Sequence, residues 1–198
     1  ALEEFGLPYE VKLVDISAGD QFAPDFLKIA PNNRMPAIVD PEGPDGAPIS
    51  LFESGAILQY LARKTGRFSG STPRAQTAVE QWLMWQMGGL GPMAGQAHHF
   101  LKFAKDDIPY AKDRYRAECA RLYGVLDRQL AGNEYVAGAD YSIADMAIWP
   151  WASLWEGQQQ DLADKPHLAS GRARRFAGAA RCTQICARRP TTATASPS

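Results

Sequence analysis

Cysteine is scarce in this chain, and its few positions exclude several kinds of protein. The 198 residues hold three cysteines, Cys119, Cys182 and Cys186. Three cysteines do not make the paired framework of a small secreted domain. Cys182 and Cys186 also lack a second pair of ligands at a spacing that would hold zinc. That spacing gives no reason to expect a metal site. Because no signal-peptide pattern precedes Cys119, we expect a cytoplasmic protein.

Acidic residues are missing from the end of the chain. Residues 170–198 contain six arginines and no Asp or Glu, whereas residues 1–169 hold all 22 acids and carry a net charge of −7. Nucleic-acid binding needs a basic face that displaces counterions from phosphates, so an acidic body argues against a nucleic-acid partner. Phe176 and Ile185 are the only large apolar residues of the end segment. We expect residues 169–198 to form a basic, disordered tail.

Charged residues are absent from residues 81–101. That length raises the possibility of a membrane span, but glutamines, several glycines and Pro92 interrupt it. We therefore interpret it as a buried or interface segment and expect no membrane partner.

His98 and His99 lie near the end of this segment. Adjacent helical residues point about 100° apart and do not share one metal ion, so we favour a packing or interface role for both.

Residues 30–40 combine a polar turn with a short apolar strand. The turn Pro-Asn-Asn-Arg-Met runs into Pro36 and then Ala-Ile-Val. Proline is tolerated at the first position of a strand, where its missing N–H costs no ladder hydrogen bond. If the Met35-Pro36 bond is cis, the N–H and C=O of Met35 turn out of the sheet. The pattern then predicts a docking edge for a ligand with a peptide backbone.

A second strand, residues 48–52, leads directly into a helix. Ile57, Leu58 and Leu61 follow at helical spacing, which predicts Ser54 as the N-cap. A helix N-terminus attracts a carboxylate, and Glu53 offers an acceptor for an amino group. A γ-glutamyl peptide would satisfy the docking edge, the helix N-terminus and Glu53 together. For an isolated Glu-Ser pair, simple helix capping is the more common explanation.

The remaining pattern predicts a mixed α/β first half and an all-helical second half. We predict a helix ending at Gly6, a strand over residues 9–14, a helix over residues 22–29 and a strand over residues 35–39. Thr65-Gly66 ends the helix that follows Glu53. Apolar residues at helical spacing from Tyr115 predict one long helix that stops near Gly132. Ser142 and Asp145 have the spacing of a capping box, which serves folding.

Three motifs now carry a resemblance to a known family. Asn-Arg-Met-Pro-Ala-Ile-Val with Leu-Phe-Glu-Ser-Gly-Ala-Ile resembles the thioredoxin-like domain of glutathione transferases. Residues 81–93 and 141–151 are similar to the bacterial Nu-class members, which are glutathione-dependent disulfide-bond oxidoreductases. The resemblance covers about residues 1–168. It implies a thioredoxin-like domain at residues 1–66, a linker at 67–74 and a helical domain at 75–168.

The resemblance also implies a glutathione site and a reaction. Residues that match the family's glutathione contacts are Gln21, Arg34, Met35, Glu53, Ser54 and Arg114. Arg114 alone is as typical of a solvated helix charge. Because no cysteine precedes Cys119, the reactive sulfur is expected to come from bound glutathione, whose thiolate attacks a small disulfide before a second glutathione resolves the mixed disulfide.

Alternatives within and outside the family stay open at this point. One is conjugation of glutathione to electrophiles, and another is a glutathione-binding or regulatory protein without turnover. A homodimer packed through the helical domains is the implied assembly. The five tryptophans could stack a substrate, but aromatic residues at helical spacing favour a core role.

Both chain ends depart from the family pattern. Family members begin with a strand and a Thr-x-Asn turn that contacts the glutathione sulfur, and this chain starts after that segment, so no catalytic residue is assigned. We expect the first domain to lack its first strand and to be unstable as a result. The abrupt change near residues 165–170 is expected from a shifted reading frame.

Overall fold

A computed structural model describes residues 1–175 of the chain, with side chains to residue 170. The first half is mixed α/β and the second half is all helix. The elements of the first half are α1 (Leu2–Phe5), a 3₁₀ turn (Asp20–Phe22), α2 (Pro24–Ile29), β1 (Ala37–Asp40), β2 (Ile49–Phe52) and α3 (Ser54–Thr65). Helices α1 and α3 end at Gly6 and Gly66, whose φ angles of 69° and 68° are left-handed, as predicted.

The described sheet consists of β1 and β2, which pair antiparallel. Ala37 lies opposite Phe52 and Asp40 opposite Ile49. Both strands were predicted, and each begins one or two residues later than the pattern indicated. The chain passes from β2 through Glu53 straight into α3, so the end of the sheet and the start of a helix meet at one place.

Residues 9–14 form no strand, which corrects the prediction of a strand there. Tyr9, Val11 and Leu13 are 40%, 61% and 76% exposed. A strand is stabilised by hydrogen bonds to a neighbouring strand. Within the described sheet, neither β1 nor β2 pairs with this segment. Apolar and polar residues do alternate over residues 9–13, but a segment without a hydrogen-bonded neighbouring strand does not form a strand.

The predicted helix over residues 22–29 is confirmed from Pro24 onward. Phe22 belongs instead to the preceding 3₁₀ turn, and Ala23 is extended with φ −60° and ψ 138°. The residue before a proline disfavours the α region because of a clash with the proline ring. Pro24 therefore sets the helix start two residues later than the apolar spacing indicated.

As far as residue 175, the second half contains a long helical run and three further helices. The run comprises α4 (Pro73–Trp85), a π-helical turn (Gln86–Leu90), α5 (Gly91–His98) and a second π-helical turn (His99–Phe103); α6 (Pro109–Ala131), α7 (Ile143–Ala152) and α8 (Pro166–Arg175) follow. The charge-free stretch lies inside this run, and no described helix is long and apolar enough to span a bilayer. His98 stacks on Phe103 with ring centroids 5.3 Å apart, in keeping with a packing role.

One hydrophobic core joins the two halves. It contains Ile57, Leu58 and Leu61 of α3 together with residues of α4 to α7. The connecting segment after Gly66 is fixed between the halves, since Phe68 makes edge-to-face contacts with Phe5 and Tyr141. Burial of the α3 face against the helical half holds the start of α3 in place relative to α4 and the π-helical turn.

Helix α8 extends into the segment predicted to be a disordered tail, which corrects that prediction for residues 169–175. The Asp127 carboxylate of α6 accepts hydrogen bonds of 2.9 Å from the N–H groups of His167 and Leu168. Capping the first turn in this way stabilises a helix whose sequence lacks an apolar stripe. The rest of the tail, with Cys182 and Cys186, lies outside the described residues.

The capping box at the start of α7 is confirmed and is buried. The Asp145 carboxylate accepts from the Ser142 N–H at 3.0 Å, the Ser142 hydroxyl at 2.9 Å and the Val136 N–H at 2.9 Å. Burial raises the pKa of Asp145, and these hydrogen bonds act in the opposite direction. The single carboxylate thus satisfies two buried backbone donors from two segments of the chain.

Replacing Asp145 tests this role in folding. We expect Asp145→Ala to lower the free energy of unfolding by about 3 kcal/mol, because two buried N–H groups lose their acceptor. The exposed Asp140, in the preceding loop, provides a matched control, and Asp140→Ala should change stability by less than about 0.5 kcal/mol. Urea denaturation followed by circular dichroism measures both, and equal losses would show that Asp145 has no special role.

Candidate functional site

The turn before β1 exposes a stretch of backbone. The Met35-Pro36 peptide bond is cis, which is the isomer that the predicted docking edge requires. The antiparallel pairing begins at Ala37, so the N–H and C=O of Met35 lie outside the ladder. The Met35 residue is 48% exposed. The molecule therefore presents a backbone donor and acceptor at the entry to β1.

The N-terminus of α3 has no side-chain cap. Glu53 occupies the N-cap position, and the helix begins at Ser54, which corrects the prediction that Ser54 is the N-cap. Glu53 has φ 68° and ψ 114°, a conformation that costs a non-glycine residue about 1–3 kcal/mol. Its carboxylate accepts no hydrogen bond from the first turn. The N–H groups of that turn are left for another acceptor, and the helix dipole favours an anion there.

The Glu53 carboxylate is instead oriented from the turn before β1. The Asn32 side-chain amide donates to Glu53 Oε1 at 3.4 Å. The contact joins residues 21 positions apart and links the exposed backbone of Met35 to the start of α3. Sequence reasoning missed Asn32, although the pair of asparagines in a polar turn was visible.

A methionine of the helical half also reaches this helix start. The Ser54 hydroxyl donates to the Sδ atom of Met87 at 3.7 Å. A Cβ atom on Gly55 would lie 3.1 Å from Met87 Cγ and 3.2 Å from its Sδ, so only glycine fits there without displacing the thioether. Met87 lies 33 residues along the chain in the first π-helical turn, and no local sequence signal points to the contact.

A charged contact holds α3 against the end of β1. Asp40 accepts from the Tyr60 hydroxyl at 2.6 Å and from the Lys64 ammonium at 2.5 Å. Lys64 and Tyr60 lower the pKa of Asp40 to about 2. The Asp40 contact and burial together raise the pKa of Tyr60 to about 12. Since β1 follows the Met35 turn and α3 follows Glu53, this contact fixes the two parts of the site relative to each other.

Gln21 and Arg34 lie in turns of the first half and are not tied to the start of α3. Gln21 lies in the 3₁₀ turn, where its amide donates to the Ile16 carbonyl at 3.4 Å and its buried Oε1 has no hydrogen-bond partner among the described residues. Arg34 is exposed in the turn before Met35 and forms no ion pair with a described side chain. Neither residue makes a hydrogen bond to Glu53 or Ser54 within residues 1–170.

Arg114 lines a separate open groove in the helical half. The groove encloses about 730 Å³ between α5 and α6 and is also lined by Met93, Tyr110, Glu118 and Arg121. Arg121 pairs with Glu118 at 2.7 Å, whereas Arg114 forms no ion pair with the described side chains. No hydrogen bond of the described residues joins Arg114 to the cluster around Glu53.

The thiol within the described residues is not suited to chemistry. Cys119 is fully buried in α6, and its sulfur contacts Gln158 Oε1 at 3.3 Å. Burial raises the pKa of the thiol to about 12, so almost none of it is ionised near neutral pH. Residues 1–170 also hold no group of His, Cys, Asp and Glu side chains that could bind a metal ion.

The architecture and the comparisons define the class of the protein. A small α/β half with a cis-proline turn and an uncapped helix start, followed by an all-helical half, corresponds to a thioredoxin-like domain joined to a helical domain. Residues 1–63 match the family model of the glutathione S-transferase N-terminal domain. The chain is 54% identical over 166 residues to the disulfide-bond oxidoreductase YfcG of Escherichia coli K12, which covers 83% of this chain and 77% of YfcG. The chain therefore belongs to the glutathione transferase family.

A second relative and a solved structure agree with this assignment. The disulfide-bond oxidoreductase YghU of Escherichia coli K12 is 43% identical over 151 residues, which are 76% of this chain and about half (52%) of YghU. The glutathione transferase of Burkholderia graminis, solved with two glutathione molecules bound per subunit, superposes with a TM-score of 0.87 at 43% identity. That match covers 96% of this chain and 82% of the other.

The Asp40 contact predicts a loss of stability in acid. Its pKa is near 2 in the folded protein and near 4 in an unfolded chain, so acidification through this range protonates the unfolded state first. The stabilisation is present above pH 4 and falls as the pH approaches 2. Asp40→Asn should flatten this part of the curve, whereas Asp106→Asn, at an exposed position, should leave it unchanged. Urea denaturation at pH 5, 4 and 3 measures the slope, and parallel curves for wild type and Asp40→Asn would contradict the assignment.

The positive φ angle of Glu53 predicts different stabilities for two small substitutions. Glycine adopts positive φ without penalty, so Glu53→Gly should be more stable than Glu53→Ala by about 1 kcal/mol. Both variants lose the carboxylate. Chemical denaturation of the two proteins measures the difference. An alanine variant as stable as the glycine variant would mean that Glu53 is unstrained.

Proposed function

We propose that this chain binds glutathione at the Met35 turn and the start of α3 and uses the bound thiolate to reduce disulfides. The uncapped N-terminus of α3 beside an exposed backbone edge is the observation that carries the proposal. The γ-glutamyl carboxylate would lie at the first-turn N–H groups of α3. The cysteinyl backbone of the ligand would pair with the N–H and C=O of Met35.

Glu53 supplies the complementary charge for the amino group of glutathione. Its carboxylate is exposed, is tied by Asn32 and does not cap its own helix. A carboxylate held in this way accepts a charge-assisted hydrogen bond from an ammonium group. Arg34 would lie near the glycyl carboxylate, and Gln21 offers an unpartnered acceptor in the neighbouring turn. Arg114 would contact glutathione as a cation on the wall of the groove between α5 and α6.

The reaction would proceed by thiol–disulfide exchange. Bound glutathione thiolate attacks one sulfur of the disulfide, forming a mixed disulfide and releasing the other sulfur as a thiolate. A second glutathione thiolate then attacks the glutathione sulfur of the mixed disulfide, which yields glutathione disulfide and the second product thiol. The YfcG and YghU names and the two glutathiones in the Burkholderia graminis structure support this reading. The inert Cys119 supports a ligand thiol as the nucleophile.

Domain limits and assembly belong to the same proposal. A thioredoxin-like domain at residues 1–66 and a helical domain at 75–168 would be joined by residues 67–74, although α4 already begins at Pro73. We also propose a homodimer that packs through the helical domains. Light scattering of the purified protein tests the dimer.

A coupled assay with glutathione, glutathione reductase and hydroxyethyl disulfide tests the activity. We expect Glu53→Gln to lower kcat/KM for glutathione by about 10-fold to 100-fold, because a charged acceptor contributes about 1.5–3 kcal/mol. The matched control is Glu80→Gln on the exposed face of α4, which should leave kcat/KM unchanged.

Two other results would replace the proposal. Faster turnover of a chlorinated aromatic electrophile than of the disulfide would assign the chain to conjugation. Glutathione binding without turnover of either substrate would assign it to a binding or regulatory role.

A further inference from the structure

Met87 makes two contacts that no local packing pattern explains. Its thioether accepts the hydroxyl hydrogen of Ser54 at 3.7 Å, and the side chain covers Gly55 so closely that a Cβ atom there would lie 3.1 Å from Met87 Cγ. Ser54 and Gly55 are the first two residues of α3. One side chain of the helical half therefore touches the uncapped helix start on which the proposed carboxylate site depends.

The helix that carries Met87 is distorted at this point. Residues Gln86–Leu90 form a π-helical turn, which inserts extra chain per turn into the run between α4 and α5. Gln86 and Leu90 are buried in the helical half, whereas Met87 is only partly buried and contacts α3. Such turns occur often at functional sites. Here the turn includes the residue that reaches across to the start of α3.

We infer that Met87 is a positioning residue for γ-glutamyl recognition, which it serves by holding the Ser54 hydroxyl with a weak acceptor. The inference rests on the proposed function and goes beyond it by naming a residue of the helical half. A hydroxyl has one hydrogen, and a thioether is a weak acceptor for it. A ligand carboxylate is a much stronger, charged acceptor. The contact therefore holds the Ser54 Oγ atom beside the helix start in the free protein, and the hydrogen turns from the sulfur to the carboxylate at little cost.

A plain packing role predicts different behaviour. Methionine is a common gap-filler, and Leu would replace it with nearly the same volume. If Met87 only filled space, the effect of Met87→Leu on glutathione affinity would not depend on the Ser54 hydroxyl. If the hydroxyl–sulfur contact matters, the effect disappears once Ser54 is Ala. A double-mutant cycle separates the two roles.

The experiment is calorimetric titration of glutathione into the full chain as wild type, Met87→Leu, Ser54→Ala and the double variant. We expect Met87→Leu to weaken binding about 3-fold in the presence of Ser54 and less than about 1.5-fold in the Ser54→Ala background. Met87→Gln provides a stronger acceptor that retains the hydroxyl hydrogen of Ser54. It should therefore weaken binding about 10-fold relative to wild type. The control is Met84→Leu, at a residue 51% exposed on α4, which should not change affinity.

Each outcome decides the question. Equal effects of Met87→Leu in both backgrounds, or no effect in either, overturn the positioning role. Wild type that does not bind glutathione overturns the proposed function itself, which is a distinguishable result.

A measurement on wild type covers the case in which Met87 variants do not fold. The chain has five methionines. Methyl-labelled methionine resonances can be assigned through Leu variants of the other four, which leaves Met87 by elimination. We expect the Met87 methyl resonance to shift when glutathione is added and the Met84 resonance to stay. A stationary Met87 resonance under saturating glutathione overturns the inference.

Discussion

The backbone conformation of Glu53 is the constraint on which the rest of the site depends. With φ 68° and ψ 114°, the residue ends β2 and starts α3 without a connecting loop, and its side chain makes no capping hydrogen bond to the first turn of its own helix. The helix start is consequently uncapped, and the carboxylate is available to a ligand. Backbone strain of this kind persists where the surrounding structure determines it and is common at binding sites.

Three contacts with other parts of the chain hold Glu53 and the start of α3 in this arrangement. Asn32 orients the carboxylate from the Met35 turn, and Asp40 ties the end of β1 to α3 through Tyr60 and Lys64. The third is Met87, which covers the helix start from the helical half. The hydrophobic core that α3 shares with the helical half fixes the position of Met87 relative to the start of α3. The proposed binding site thus depends on both halves of the molecule.

Much of the fold could be predicted from local sequence. The helix ends at Gly6 and Gly66, the two paired strands and the Ser142 capping box follow from short-range patterns, and the structure confirms them. The strand predicted at residues 9–14 was wrong because alternation indicates a strand only where a partner exists. The helix cap was placed one residue late because Ser is a better cap than Glu by propensity, whereas the chain path from β2 decides the matter here.

The site could be predicted only in part. Met35, Glu53 and Ser54 were predicted from two short stretches, and the structure brings the turn and the helix start together through Asn32. Met87 was missed because its contact with Ser54 spans 33 residues and arises from packing of the two halves. Gln21, Arg34 and Arg114 were predicted by resemblance alone, and the contribution of these residues and of Met35, Glu53 and Ser54 to glutathione binding stays a prediction.

The most direct test of the central claim is a titration of glutathione into ¹⁵N-labelled protein with the amide resonances followed individually. If the γ-glutamyl carboxylate lies at the start of α3, the Ser54, Gly55 and Met35 amide resonances shift together and saturate with one dissociation constant. Saturable shifts confined to residues of the Arg114 groove, with the α3 resonances unchanged, would contradict the account.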